Sequence, residues 1–178
     1  MPAFTRLPRL TIGFHWIIAI LMIANLIFGM IVEEMERSAM KGTLMGLHKS
    51  VGILVLTLAV FRLLYTLKQG LPAPLSPTPD WQLKAAKLTH TFLLAATIFI
   101  PFSGMLMSYA GGRPIEMFGL ELIGASGYQI EWLKSLAGAV HGGGANLLIF
   151  ALALHIAGAF KHSLIDRDGT LQRMLGRS

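Results

Sequence analysis

The sequence has no cysteine. That excludes disulfides, thiolate-held zinc, cysteine-ligated iron–sulfur clusters and thioether-attached haem. Charge is also scarce. Asp, Glu, Lys and Arg make up 13% of the 178 residues, about half of the roughly 25% usual in soluble domains. Apolar residues make up 54%, and the mean hydropathy is +0.63. A composition of this kind excludes an ordinary soluble domain and reads as a membrane protein. Acidic residues are the scarcest of the charged ones, 9 against 15 basic, for a net charge of +6. In so apolar a chain that excess is explained by a basic cytoplasmic face, and no nucleic-acid partner is expected.

What is present is four long apolar runs, at about 10–32, 47–67, 88–110 and 136–160. Each reaches the ~20 residues that cross a bilayer as a helix. Backbone in lipid must satisfy its own hydrogen bonds, so runs of this length are helices. The expected fold is all-α, an integral membrane bundle of four transmembrane helices forming one domain over residues 1–178. The first run is too long for a signal peptide, and Glu33, Glu34 and Glu36 follow it where a small-residue cleavage site would stand. Residues 33–46 form a short acidic connection. Pro72, Pro74, Pro77 and Pro79 make 70–80 an extended, stiff connector. Residues 111–135 are amphipathic in places and are expected in the membrane interface. Ten of the 15 Lys and Arg residues fall on the side that holds both termini and the 68–87 segment. Both termini are therefore assigned to the cytoplasm.

All six histidines, His15, His48, His90, His141, His155 and His162, lie within a span or at its end. Ionisable residues are costly there and are functional candidates by default. His141 and His155 are 14 residues apart, which is about 21 Å along a helix and ~40° short of whole turns. They share a face, one near each side of the membrane. By depth, His155 matches His15 near the cytoplasmic side, and His141 matches His48 near the periplasmic side. Zinc and copper sites gather three or four ligands at one point. Imidazoles paired two by two at two depths suit porphyrin iron, which needs only two axial ligands, and a closed coordination sphere suits electron transfer. The expectation is two noncovalent, bis-histidine haems between facing helices.

The neighbours of these histidines add detail. Gly138, Gly142, Gly143 and Gly144 crowd His141, Gly46 and Gly52 flank His48, and Gly13 is near His15. They could admit a flat ring or serve helix packing. Arg62 follows His48 by 14 residues, at the depth of the inner pair. It is a candidate partner for a haem propionate, with snorkelling to the surface as the alternative. His90 has no evident mate and reads as an interfacial hydrogen-bonding residue. His162 is the candidate for proton exchange with a quinone, because imidazole titrates near physiological pH. Pro101 is expected to kink the third span.

The chain resembles the prokaryotic cytochrome b561 family of small dihaem membrane cytochromes. The resemblance is carried by Phe14-His15-Trp16, Leu47-His48 followed by Gly52-Ile53-Leu54, Phe61-Arg62-Leu63, and Lys134-Ser135 ahead of His141. The 14-then-7 spacing to His155 and His162 and the tail Asp168-Gly169-Thr170-Leu171 add to it. It implies one haem b on His15 and His155, another on His48 and His141, exchange of electrons with ubiquinone, and a place in the bacterial inner membrane. It also implies two functional readings. One is transfer between a periplasmic donor, superoxide or a redox protein, and ubiquinone. The other is a cytochrome b anchor for a larger dehydrogenase or hydrogenase. Capture of superoxide calls for a positive face. The outer loops mix Glu33, Glu34, Glu36, Glu116, Glu121 and Glu131 with their cations, so no broad basic patch is expected there, only a local one of Lys49, Arg113 and Lys134.

Overall fold

The computed structural model describes residues 6–70, 75–76 and 78–177. Four long helices dominate it: α1 (Arg9–Glu34), α2 (Ala39–Gln69), α3 (Asp80–Ala110) and α4 (Glu131–Phe160). All four are long and apolar enough to cross a membrane. Three begin well before their apolar runs, so the helices project beyond the hydrocarbon. Little of the expected 33–46 connection is left, because α1 and α2 occupy all but four of its residues. The Ser38 side chain caps α2 by accepting from the Lys41 amide at 3.1 Å. The Lys41 ammonium donates to the carbonyls of Glu33 and Met35 at 2.9 and 2.6 Å, covering the open end of α1. Pro79 directly precedes α3, where its missing N–H costs nothing. Pro72, Pro74 and Pro77 lie outside the described residues. Helix α3 runs on through Pro101.

The 111–135 segment is more ordered than an amphipathic loop. It forms an antiparallel hairpin, β1 (Ile115–Met117) with β2 (Leu120–Ile123), turning at Phe118 and Gly119. Both turn residues have positive φ, 50° and 85°, the left-handed geometry that a tight hairpin requires. The Phe118 amide donates to Ser50 Oγ at 2.8 Å, so the hairpin is pinned on the periplasmic start of α2. At the other end, α4 continues into a π-helical turn over Lys161–Asp166. A short helix, α5 (Thr170–Met174), then folds back beneath the bundle.

The bundle packs sequentially, α1 on α2, α2 on α3 and α3 on α4. Ile18, Met22, Val55, Ala59, Ala96, Ile100 and Leu148 form the shared core. Large apolar side chains also cover the outside: Ile20, Leu64, Phe99 and Phe150 are each more than half exposed. An outer surface this apolar needs lipid around it. Helix α4 has no comparable packing against α1 or α2. Those are the helices that carry the histidines matched to its own.

Candidate cofactor and redox site

The structure brings the histidines together as two pairs. The rings of His15 and His155 are 6.1 Å apart between centroids, and so are those of His48 and His141. Each pair joins α4 to a helix against which it packs far less than against α3, and the pairs lie at opposite ends of the bundle.

At the periplasmic pair the surroundings fix the rings. His141 Nδ1 is 2.8 Å from the Ile100 carbonyl. A carbonyl only accepts, so Nδ1 carries the hydrogen and the Nε2 lone pair is left free, the tautomer a metal-binding imidazole requires. Gly104 faces the same ring, where a Cβ would come within 2.9 Å of it. Gly29 faces His48 in the same way, with a Cβ placed 2.6 Å from the ring. Asn25, buried one turn before Gly29, donates to the His48 carbonyl at 3.2 Å and ties α1 to α2 at that level. His48 Nδ1 is buried with no hydrogen-bond partner among the described residues.

These contacts identify residues that the sequence reading passed over: Asn25, Gly29 and Gly104, together with the Ile100 carbonyl. The signal available was Asn25 and Gly29 four apart in an otherwise apolar run, hence on one face. The glycines singled out from sequence behave differently. Gly144 meets Ile100 and Gly138 meets Met107, which is helix packing, while Gly13, Gly46, Gly142 and Gly143 have open space where a Cβ would be.

The cytoplasmic pair has company that the sequence did not show. His90, expected to be without a mate, lies beside His155 with ring centroids 5.3 Å apart. Trp16 meets His15 edge-on at 5.2 Å, and its indole N–H donates to the Met174 carbonyl of α5 at 2.8 Å. Arg62 lies within electrostatic reach of His15, His90 and His155. No carboxylate of the described residues pairs with it.

His162 sits apart from both pairs. Its Nδ1 lies 2.8 Å from Asp168 Oδ2 and 3.2 Å from Asp166 Oδ2. Burial pushes the Asp168 carboxyl up, but the hydrogen bonds from Thr170 and His162 outweigh it and hold the group below its ordinary value. Ser76 also donates to Asp168, and Lys161 joins Asp166 to Gln82 of α3. The three elements at the cytoplasmic end are thereby laced together.

The periplasmic face departs from expectation. A cleft of about 850 Å³ lies between the start of α2 and the hairpin, and is lined by Arg37, Lys41, Lys49 and Arg113; Leu47 and Lys49, the chain neighbours of His48, line it while His48 itself does not. Glu116 is the one carboxylate lining it. Lys134, expected to join such a patch, instead pairs with Glu131 at 3.4 Å. The remaining loop glutamates do not line the cleft, so its walls are basic although the loops as sequences are mixed.

The residues fit a porphyrin iron. A metal–imidazole bond is about 2 Å, so two rings on opposite sides of one ion have centroids about 6 Å apart, as both pairs do. A multi-pass helical membrane bundle with imidazoles paired at two depths defines the class of membrane-embedded b-type cytochromes. Comparison with known sequences agrees. Residues 6–177 match the prokaryotic cytochrome b561 family, and the chain belongs to that family. It is 32% identical over 181 residues to cytochrome b561 homolog 2 of Escherichia coli, covering 99% of this chain and 96% of that protein. It is 31% identical over 130 residues to homolog 1 of the same organism, 73% of each. A probable superoxide oxidase, CybB of Yersinia pestis, is 29% identical over 167 residues, 93% of each. The chain is thus a multi-pass protein of the bacterial inner membrane, from a family of haem b cytochromes that carry electrons there.

Proposed function

We propose that this protein carries electrons from superoxide at the periplasmic face to a quinone, through two haems b held by His48 with His141 and by His15 with His155. The observation that carries the reading is the equal 6.1 Å separation of two imidazole pairs, each between helices that make little direct contact with each other. Bound there, the haems would supply reversible one-electron chemistry. The chain supplies the rest. The Ile100 carbonyl sets the His141 tautomer, Gly29 and Gly104 allow the outer rings their positions, and Arg62 supplies a cation for an acidic edge at the inner pair.

The basic cleft supports superoxide as donor over a neutral or cationic one. Arg37, Lys49 and Arg113 concentrate an anion at the chain neighbours of His48, and a charge-lined cleft speeds such encounters. Two superoxide ions give up one electron each and leave as two molecules of dioxygen. One quinone takes both electrons with two protons from the cytoplasm and becomes quinol. His162, hydrogen-bonded to Asp168, is the proton donor at that face.

The test is steady-state reduction of ubiquinone by superoxide with haem-loaded protein. Turnover should run well above the uncatalysed rate and fall as ionic strength rises. Lys49→Ala combined with Arg113→Ala should lower it about tenfold or more while haem content stays at two per chain. Turnover no faster than without protein would remove superoxide as the donor. Co-purification with a large partner would then favour the anchor-subunit reading.

A further inference from the structure

The cytoplasmic cluster contains one imidazole more than an iron centre uses. His90 and His155 are 5.3 Å apart at 76°, closer by most of an ångström than the spacing shared by the two fitting pairs. The helices settle the matter further. Helix α3, which carries His90, packs directly on α4, far more closely than α1 or α2 does. The 6.1 Å spacing expected of two imidazoles across one metal is met by His15 with His155 and not by His90, which stands beside that pair.

Its position still calls for a partner. The His90 ring is exposed and makes no hydrogen bond to any described residue, so it is open to a ligand seated in the cluster, and in a bilayer a polar ring is costly until it finds one. Arg62 reaches the same cluster from α2 and has no carboxylate among the described residues. An imidazole and a guanidinium that reach one cluster from different helices, neither holding a carboxylate of the described residues, can together receive one. The haem that fits between His15 and His155 brings carboxylates of its own, its propionates.

We infer that His90 and Arg62 together bind a propionate of the inner haem, making His90 a positioning residue for that haem and not an axial ligand. The inference rests on the ligand reading proposed above. Held this way, the propionate charge is balanced beside the iron. Removing a partner leaves that charge uncompensated, favours the oxidised iron and lowers the potential.

The experiment uses the full-length protein loaded with haem. Redox titration, haem content and low-spin resonance signals are followed for His90→Phe, His90→Asn, Arg62→Gln and His155→Ala. His90→Phe should keep two haems and both low-spin signals and shift one midpoint downward, leaving the other in place. Arg62→Gln should shift the same midpoint in the same direction. His90→Asn, which keeps a donor, should shift it less. Reconstitution with haem dimethyl ester, whose propionates are capped, should abolish the difference between wild type and His90→Phe. Unchanged midpoints, a shift that persists with the ester, or loss of one haem on His90→Phe would each overturn the inference. Retention of two haems by His155→Ala would instead sink the underlying ligand assignment, a result independent of the His90 variants.

Discussion

At the periplasmic end, His141 is tied to a backbone carbonyl of α3 and His48 is pressed against Gly29. At the cytoplasmic end, His15, His90 and His155 meet one another near a guanidinium, with no hydrogen bond from a described residue to any of the three rings. The outer rings are therefore positioned by shape and by backbone. The inner rings are surrounded by one another and by a guanidinium that acts through charge. Substitutions that add volume should hurt the outer site selectively, and substitutions that alter polarity should act on the inner one.

The largest effect expected is loss of an axial imidazole. His48→Ala or His141→Ala should halve the haem per chain and leave the spectrum of the inner centre, while His15→Ala should do the reverse. Haemochrome assay of purified protein checks this. If each variant lost both haems, the two ends would not be separable and the comparison would fail.

The next effect is steric. Gly29→Ala places a methyl 2.6 Å from the His48 ring, and Gly104→Ala places one 2.9 Å from His141. Overpacking of this kind costs about 1–3 kcal/mol. Both variants should release the outer haem at lower temperature, as seen by loss of its absorbance on heating. Gly42→Ala, which meets nothing within 4 Å, should release it at the wild-type temperature.

The smallest effect belongs to the cytoplasmic lacing. The folded Asp168 carboxyl sits below its ordinary value. Its contribution to stability is thus complete above the ordinary carboxylate range and is lost as pH falls through the lowered folded value. Asp168→Asn should cost about 1 kcal/mol at neutral pH and flatten the acid limb of a detergent-solubilised melting curve. An acid limb identical to wild type would mean that the His162–Asp168 contact adds no stability.

Much of this was open to a reader of the sequence. Four apolar runs of bilayer length leave little choice of fold, and the 14-residue steps from His48 to Arg62 and from His141 to His155 fix depth along a helix without knowledge of packing. The adjacency of His15 to His155 and of His48 to His141 follows from depth alone. What stayed hidden depends on which faces meet. His90 has a depth but no direction in the sequence, so its place beside His155 could not be seen. Gly29 and Gly104 matter only because a ring from another helix lies against them, whereas the conspicuous Gly142-Gly143-Gly144 run contains one packing contact. The basic cleft is a matter of convergence. Arg37 comes from the turn between α1 and α2, Lys41 and Lys49 from α2, and Arg113 from the segment ahead of β1, while of the loop glutamates that dilute them in sequence only Glu116 lines the cleft. The helical extensions beyond the apolar runs were missed because hydropathy marks what lies in lipid, not where hydrogen bonding stops.

Helix α4 supplies a ring to each of the two pairs, and it leaves the ribosome after the other three spanning helices. Under the ligand assignment proposed here, neither metal-binding sandwich exists while only three segments are in the bilayer. Cofactor capture then waits for α4, and both centres become available in a single insertion event. A chain arrested before Glu131 would be threaded into the membrane but colourless.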